Sequence, residues 1–359
     1  MTLCEDNDLT SYDLGPATTK RLIEAGYTAK SLLLETHEAI SKKTGLGLRS
    51  IRIILKKINL SLTKISTADV IWEQRRKRPR LSINRCIDDI LGGIETGGIT
   101  EFFGKSGTGK TQICHQLCVN VQKPQSKGGL GGNVLYIDAE GTFRPERLVE
   151  IAEQESKTEC KTKHEIESML QTVYVLKAYN SDMLSDSIQK LHTTIKEKGI
   201  KIKLIIIDSV SSFFFEFERY EEQQDYIINL LNPLKKLFEI YHDLAVVITN
   251  QVTENKRIFF GDPVVALGSH ALAHGVTTRV YLRNYSMDTS NKFIAKLISS
   301  PNLPVSEAVY YIDKSGIADK CLPVCKKVED DTFSDVKRFL NEMKNGSHAD
   351  SKFNNEIYS

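Results

Sequence analysis

Eight consecutive residues, Gly104-Lys105-Ser106-Gly107-Thr108-Gly109-Lys110-Thr111, satisfy G-x-x-x-x-G-K-[ST] at every fixed position. The chemistry open to such a run is the holding of phosphate. Glycines let the backbone turn sharply, so that successive N–H groups converge on one anion. Lys110 can reach β- and γ-phosphates, and the Thr111 hydroxyl is the expected ligand of Mg²⁺. These eight residues, with Gln112 behind them, are the candidate ATP-binding positions.

Three further polar residues end apolar runs. LIIIDS closes on Asp208, a carboxylate suited to the Mg²⁺ shell opposite Thr111. VLYIDAE closes on Asp138 and Glu140. Attack on a γ-phosphate needs a water that is oriented and relieved of its proton, and a carboxylate at a strand end can do both. Glu140 is the candidate, with Asp138 as competitor. Gln251 follows the run AVVITN, where an amide could sense a γ-phosphate and signal to the segment after it.

These residues need strands to carry them. Residues 99–103 form an apolar run of strand formers before the glycine loop, and Ile113, Leu117 and Val121 recur at helical spacing after it. Strand, loop and helix in that order separate a phosphate loop from a chance match. Further strand candidates are residues 134–138, 173–176, 204–208, 245–250, 278–282, 293–298 and 308–312, with helical segments between the earlier ones. The wholly apolar runs suit a mostly parallel sheet covered on both faces, and the closely spaced late strands suit an antiparallel extension. The expected class is therefore α/β, with polar strand ends gathered at one edge of the sheet.

The chain has 359 residues, 40% hydrophobic and 26% charged, which fits a large core plus an accessory module. A net charge of +2 leaves any nucleic-acid binding to local patches. No apolar run approaches the ~20 residues of a membrane span, and the acidic start lacks a signal-peptide core. Seven cysteines in no dense framework predict reduced thiols. Cys321 and Cys325 have no further ligand nearby, so no metal site is read there.

The expected domains are a helical module over residues 1–60, a linker over 61–80, the α/β core over 81–322 and a polar tail over 323–359. LGP at residues 14–16 is similar to a helix-hairpin-helix turn, and Lys42, Lys43, Arg49, Arg52, Lys56 and Lys57 make the module's second half basic. The linker carries Arg75, Arg76, Lys77, Arg78 and Arg80, a run that fits a nuclear-import signal, a nucleic-acid patch or a solvated linker. Trp72, just before it, is expected to be buried. A short helix is expected over residues 333–343.

Several segments then agree in order: GIETGGITEFFGKSGTGKTQICHQL, YIDAEGTFRPERL, LIIIDS, VVITNQV, and FFGDP followed by LAHGVTTRVYLR. Together they resemble the RadA/RecA class of homologous-recombination ATPases, in its archaeal and eukaryotic branch, over residues 14–319. The resemblance implies a RecA-like core behind a helix-hairpin-helix-like domain, with ATP and Mg²⁺ as cofactors. It implies a DNA-dependent ATPase of recombination and double-strand-break repair, acting on single-stranded and also double-stranded DNA. Partners would be copies of itself in a filament or related recombinases in a heteromer, with no membrane. A eukaryotic source would place it in the nucleus, another in the cytoplasm. Lys110 and Thr111 would take the nucleotide roles, Glu140 the water-activating role and Asp208 the magnesium role. Arg147 would stack on adenine, Gln251 would sense the γ-phosphate at the start of a second DNA loop over residues 252–270, and His274 would contribute to coupling.

The departures from that family are chemical. The first DNA loop usually contains Gly-Arg-Gly; here SSFFFEFERYEEQQDY is shorter and acidic, with Glu216, Glu218, Glu221 and Glu222. The second loop keeps Lys256 and Arg257 as candidate DNA contacts. The usual Phe-x-x-Ala subunit plug is Ile65-Ser66-Thr67-Ala68, so the candidate contact residues Ile65 and Ala68 lack the phenyl ring. An Asp usually precedes the Ser-Pro that covers a neighbour's ATP, and here that place holds Ser299. These features favour an accessory, heteromer-forming paralogue over a lone filament former. The alternative is a structural partner that clamps ATP and hardly turns it over. A hexameric helicase motor is a third reading, opposed by the helical module and by FRPER.

Overall fold

A computed structural model describes residues 8–62, 65–159, 162–254, 264–285 and 291–318. The DNA-loop candidates Lys256 and Arg257, the tail with Cys321 and Cys325, and the helix expected over 333–343 lie outside them.

The first described stretch is helical. A 3₁₀ turn at Leu9–Tyr12 precedes α1 (Pro16–Glu24), α2 (Ala29–Leu32), α3 (His37–Thr44) and α4 (Leu48–Leu62). Local chemistry sets the boundaries. Pro16 occupies the first turn of α1, where its missing N–H costs nothing. Thr28 and Ser31 form a capping box on α2, and Thr36 accepts from the Ala39 N–H at the start of α3. Gly45, at φ +68°, ends α3 in the left-handed conformation that glycine adopts without strain. Leu9, Leu22, Leu32, Ile40, Ile51 and Ile58 close a small core of their own.

The segment read as a linker contains α5 (Ala68–Arg76), which buries none of its residues. Trp72 is 65% exposed, against the expected burial. The helix is tied down by charge instead, through Arg75 to Glu95 at 2.5 Å, and Arg80 reaches the same carboxylate at 3.6 Å. Part of the basic run is therefore neutralised locally.

The core contains β1 (Arg80–Leu81), α6 (Arg85–Leu91), β2 (Ile94–Glu95), β3 (Ile99–Gly104), α7 (Lys110–Asn120) and β4 (Asn133–Asp138). It continues with α8 (Pro145–Glu159), α9 (Lys163–Gln171), β5 (Val173–Lys177), α10 (Ser181–Gln189), α11 (Leu191–Lys198) and β6 (Ile202–Asp208). Then come α12 (Tyr220–Leu237), β7 (Ala245–Asn250), β8 (Val252–Glu254), β9 (Val264–Ala266) and α13 (Ser269–Gly275). The described core ends with β10 (Thr278–Asn284), β11 (Lys292–Ser299), β12 (Ser306–Asp313) and β13 (Gly316–Ala318).

Among the described residues the main sheet has nine strands in the order β13-β12-β11-β10-β3-β7-β6-β4-β5. From β10 to β5 every pair is parallel, and β10 to β13 are antiparallel. The α/β class and the antiparallel extension thus stand as expected. The period of two divides β6 between two cores. Leu204 and Ile206 pack towards α6, α7 and α8, whereas Ile205 and Ile207 pack towards α10, α11 and α12. The extension folds back on α7: Tyr310 of β12 donates its hydroxyl to Thr108 O at 3.0 Å, and Ile317 N donates to Gln116 Oε1 at 3.1 Å. Cys114 and Cys118 are free and buried, as expected of thiols, but Cys86 is disulfide-bonded.

Candidate nucleotide site and the root of the second loop

The phosphate loop joins β3 to α7. Gly107 and Gly109 have φ of +78° and +88°, which a side chain would strain. A Cβ on Gly104 would lie 2.3 Å from Leu282 O, and one on Gly109 would lie 2.6 Å from Ile312 Cδ1. The loop is therefore wedged between β10 and β12, and only glycine fits. Lys105, Ser106 and Gly107 form its exposed rim. The Lys110 ammonium is buried, donating to Gly104 O at 2.8 Å and Lys105 O at 3.0 Å. Burial lowers its pKa, and the charges of Glu140 and Asp208 oppose that shift.

Asp208 ends β6 with 1% of its surface exposed. It accepts from Thr111 Oγ1 at 2.8 Å, from Tyr136 OH at 2.6 Å and from the Thr249 hydroxyl. Burial raises its pKa, while those three hydrogen bonds act the other way. Burial likewise drives the Tyr136 hydroxyl far above its ordinary range, so it remains a donor. The sequence singled out Thr111 and Asp208; it missed Tyr136 and Thr249, whose polar tips fall inside apolar strand runs.

Glu140 lies two residues beyond β4 and is exposed. Its Oε1 accepts from Ser209 Oγ at 2.6 Å and from Gln251 Nε2 at 3.0 Å. Its competitor Asp138 is committed elsewhere, accepting the N–H groups of Thr142 and Phe143 at 3.1 and 3.2 Å. That is the behaviour of a strand-end carboxylate shaping a turn. Gln251 is further held by its own N–H, which donates to Ser211 Oγ at 3.0 Å. The glycine loop, the acid–hydroxyl pair and the Glu140–Gln251 contact share one edge of the sheet.

The site suits a magnesium nucleotide. A buried ammonium faces the loop's own carbonyls, and among the described residues the buried carboxylate is satisfied by hydroxyls alone. A polyphosphate and a divalent cation would relieve both. Gly104 to Gln112 with Lys110 would hold the phosphates, and Thr111 and Asp208 the cation.

A family model described as Rad51 matches residues 82–320. The chain belongs to the Rad51 family. The chain is 38% identical over 324 residues to a curated relative, "DNA repair and recombination protein RadA" of Aeropyrum pernix, covering 88% of this chain and 98% of the relative.

Other positions singled out by the Rad51 resemblance are placed as follows. Arg147, in α8, donates Nε to Gln112 Oε1 at 2.8 Å and also bonds Glu150 and the carbonyl of Asp313. It thus clips α7 to the end of β12. His115 stacks with Tyr136 at 6.0 Å, meets the tilted ring of Phe143 at 5.6 Å and accepts the Arg144 N–H at 3.3 Å. Burial, with Arg147 nearby, lowers its pKa to about 4. His274 is exposed on the last turn of α13, and Ile65 and Ala68 are exposed around the start of α5. In the first-loop segment Phe213 and Phe214 are buried in the core, and Phe215 alone of the three points outward. Glu216 accepts the Ser181 N–H at 3.1 Å, and Glu222 pairs with Arg219.

Proposed function

We propose that the chain is an ATP-dependent DNA-binding protein of homologous recombination and double-strand-break repair, a DNA-dependent ATPase that forms or assists recombinase filaments on single-stranded DNA. The observation that carries this reading is the 3.0 Å hydrogen bond between Gln251 and Glu140. It puts the group suited to water activation in contact with the residue that opens the second loop. Bound ATP with Mg²⁺ supplies the transferable phosphoryl group and neutralises its charge. Glu140 takes a proton from water, Lys110 meets the phosphate charge, and Thr111 and Asp208 hold the cation. Gln251, drawn between Glu140 and a terminal phosphate, passes the nucleotide state to residues 252–270, where Lys256 and Arg257 contact DNA.

Within that reading we favour an accessory role in a heteromer of related recombinases. The first-loop segment turns two of its phenylalanines inward and presents acids, which gain little from a phosphate backbone. The exposed Ile65 offers no aromatic plug to a neighbour. Strand exchange by the purified protein alone, with Lys110→Ala as control, tests both levels. The proposal expects weak exchange alone, and ATP turnover that Lys110→Ala abolishes. Robust exchange alone would overturn the accessory role, and turnover that survived Lys110→Ala would overturn the ATPase assignment. Nucleotide binding with no turnover would favour the structural-clamp alternative.

A further inference from the structure

Glu101 belongs to β3, the strand that enters the phosphate loop, and is fully buried. Its neighbours across the sheet satisfy it. Arg279 of β10 donates Nε to Oε2 at 2.5 Å, and Asn250 of β7 donates Nδ2 to Oε1 at 2.8 Å. Asn250 also donates to Leu267 O at 2.9 Å, and Leu267 N donates to Gln251 O at 2.9 Å. One side-chain amide therefore fastens the phosphate-loop strand to Leu267, near the far end of the second loop, and the Leu267 N–H ties that end back to Gln251 at its start. The surroundings repeat the connection. The Arg279 guanidinium lies 5.1 Å from the Phe103 ring centre, Phe103 stacks on Tyr281 at 5.3 Å, and Val252, Val264 and Ala266 pack on these rings.

Among the described residues, two atoms of this cluster, Arg279 Nη2 and Asn250 Oδ1, are buried without a hydrogen-bond partner. A buried cluster with unmet polar atoms favours any rearrangement that supplies partners, as a two-position element requires. Among the described residues none of the three side chains is hydrogen-bonded to Lys110, Thr111, Asp208 or Glu140. They can act only through backbone position.

We propose that Glu101, Asn250 and Arg279 form the joint through which the state of the phosphate loop reaches the root of the second loop, with Glu101 and Asn250 as positioning residues. This rests on the reading of the site as an ATP site. The joint holds the backbone of Gln251, whose side chain meets Glu140 at 3.0 Å, so it works with that contact and not against it. A competing link is the pair Lys105 Nζ and Glu254 Oε1 at 2.9 Å. Those side chains are 57% and 61% exposed, so solvent screens the pair and the buried joint dominates.

The test is hydrogen exchange of the full chain with and without ATP and Mg²⁺, read at the phosphate loop and at residues 252–254 and 264–267. In the unaltered protein, ATP is expected to change exchange at both places, by about five-fold or more at the loop root. In Glu101→Gln, which keeps shape and loses charge, ATP still protects the phosphate loop while the change at the root falls below about two-fold. Asn250→Ala gives the same result and serves if the first variant does not fold. Glu254→Gln keeps the response of the unaltered protein. A purely packing role would lower stability yet leave the ATP response intact. Variants that keep that response overturn the joint, as does a root that ignores ATP in the unaltered protein while the phosphate loop responds. If the root responds but DNA affinity does not follow ATP, the joint stands and the DNA reading fails.

Discussion

Glu140 and Asp138 leave the same strand two residues apart, and their partners separate their roles. Asp138 is consumed by two backbone N–H groups of the turn after β4, whereas Glu140 is exposed and touched by Ser209 and Gln251. Glu140→Gln should therefore keep ATP affinity and lower kcat by about 10²–10⁴-fold, the usual range for a lost general base. Steady-state turnover with a nucleotide-binding titration checks it. His115 supplies a prediction on stability. Its folded pKa of about 4 lies below the ordinary His value of 6.5, so the unfolded chain binds the proton more readily. The contribution is complete above pH 6.5 and is lost as pH falls towards 4. It amounts to about 2 kcal/mol between pH 7 and pH 5. His115→Gln keeps an acceptor for the Arg144 N–H and should flatten that part of the curve in urea unfolding at the two pH values.

At the scale of elements, the phosphate loop is held by neighbours distant in sequence. Tyr310 and Ile312 of β12 press on it from one side and Leu282 of β10 from another. The loop was legible because its chemistry is local: glycines, a lysine and a threonine at fixed spacing. So were the parallel strands, whose apolar runs state burial on both faces. Two of Asp208's three partners were not legible, because Tyr136 and Thr249 come together only when β4, β6 and β7 lie side by side in the sheet. Trp72 was misread for the converse reason: an aromatic residue suggests burial, but α5 is anchored by Arg75 on Glu95 and leaves the ring outside. The buried Glu101–Arg279 pair was invisible too, since its partners are 178 residues apart. Its loss should be felt, because truncating one member strands the other charge. Glu101→Ala should cost about 3–5 kcal/mol in denaturant unfolding, against less than about 1 kcal/mol for Arg219→Ala on the surface.

At the scale of the molecule, the two-faced sheet places the nucleotide site beside the root of a loop proposed to hold DNA, while the helical module keeps a core of its own. Assembly is proposed to depend on residues around α5, where Ile65 and Ala68 lie exposed. If the missing phenyl ring limits self-association, Ile65→Phe should raise the association constant by about ten-fold or more, since a buried aromatic anchor contributes upwards of 1 kcal/mol. Sedimentation velocity at matched concentrations reads this, and unchanged profiles would separate the ring from assembly.

The central claim is that nucleotide bound by the loop at Lys110 governs how the chain holds DNA. The direct measurement is a pair of single-stranded DNA binding isotherms at fixed salt, one with ATP and Mg²⁺ and one without nucleotide, repeated with Lys110→Ala. The account predicts that ATP shifts the affinity of the unaltered chain by about five- to 150-fold and leaves that of the variant where it was. Superimposable isotherms for the unaltered chain, with ATP shown to be bound, would contradict it.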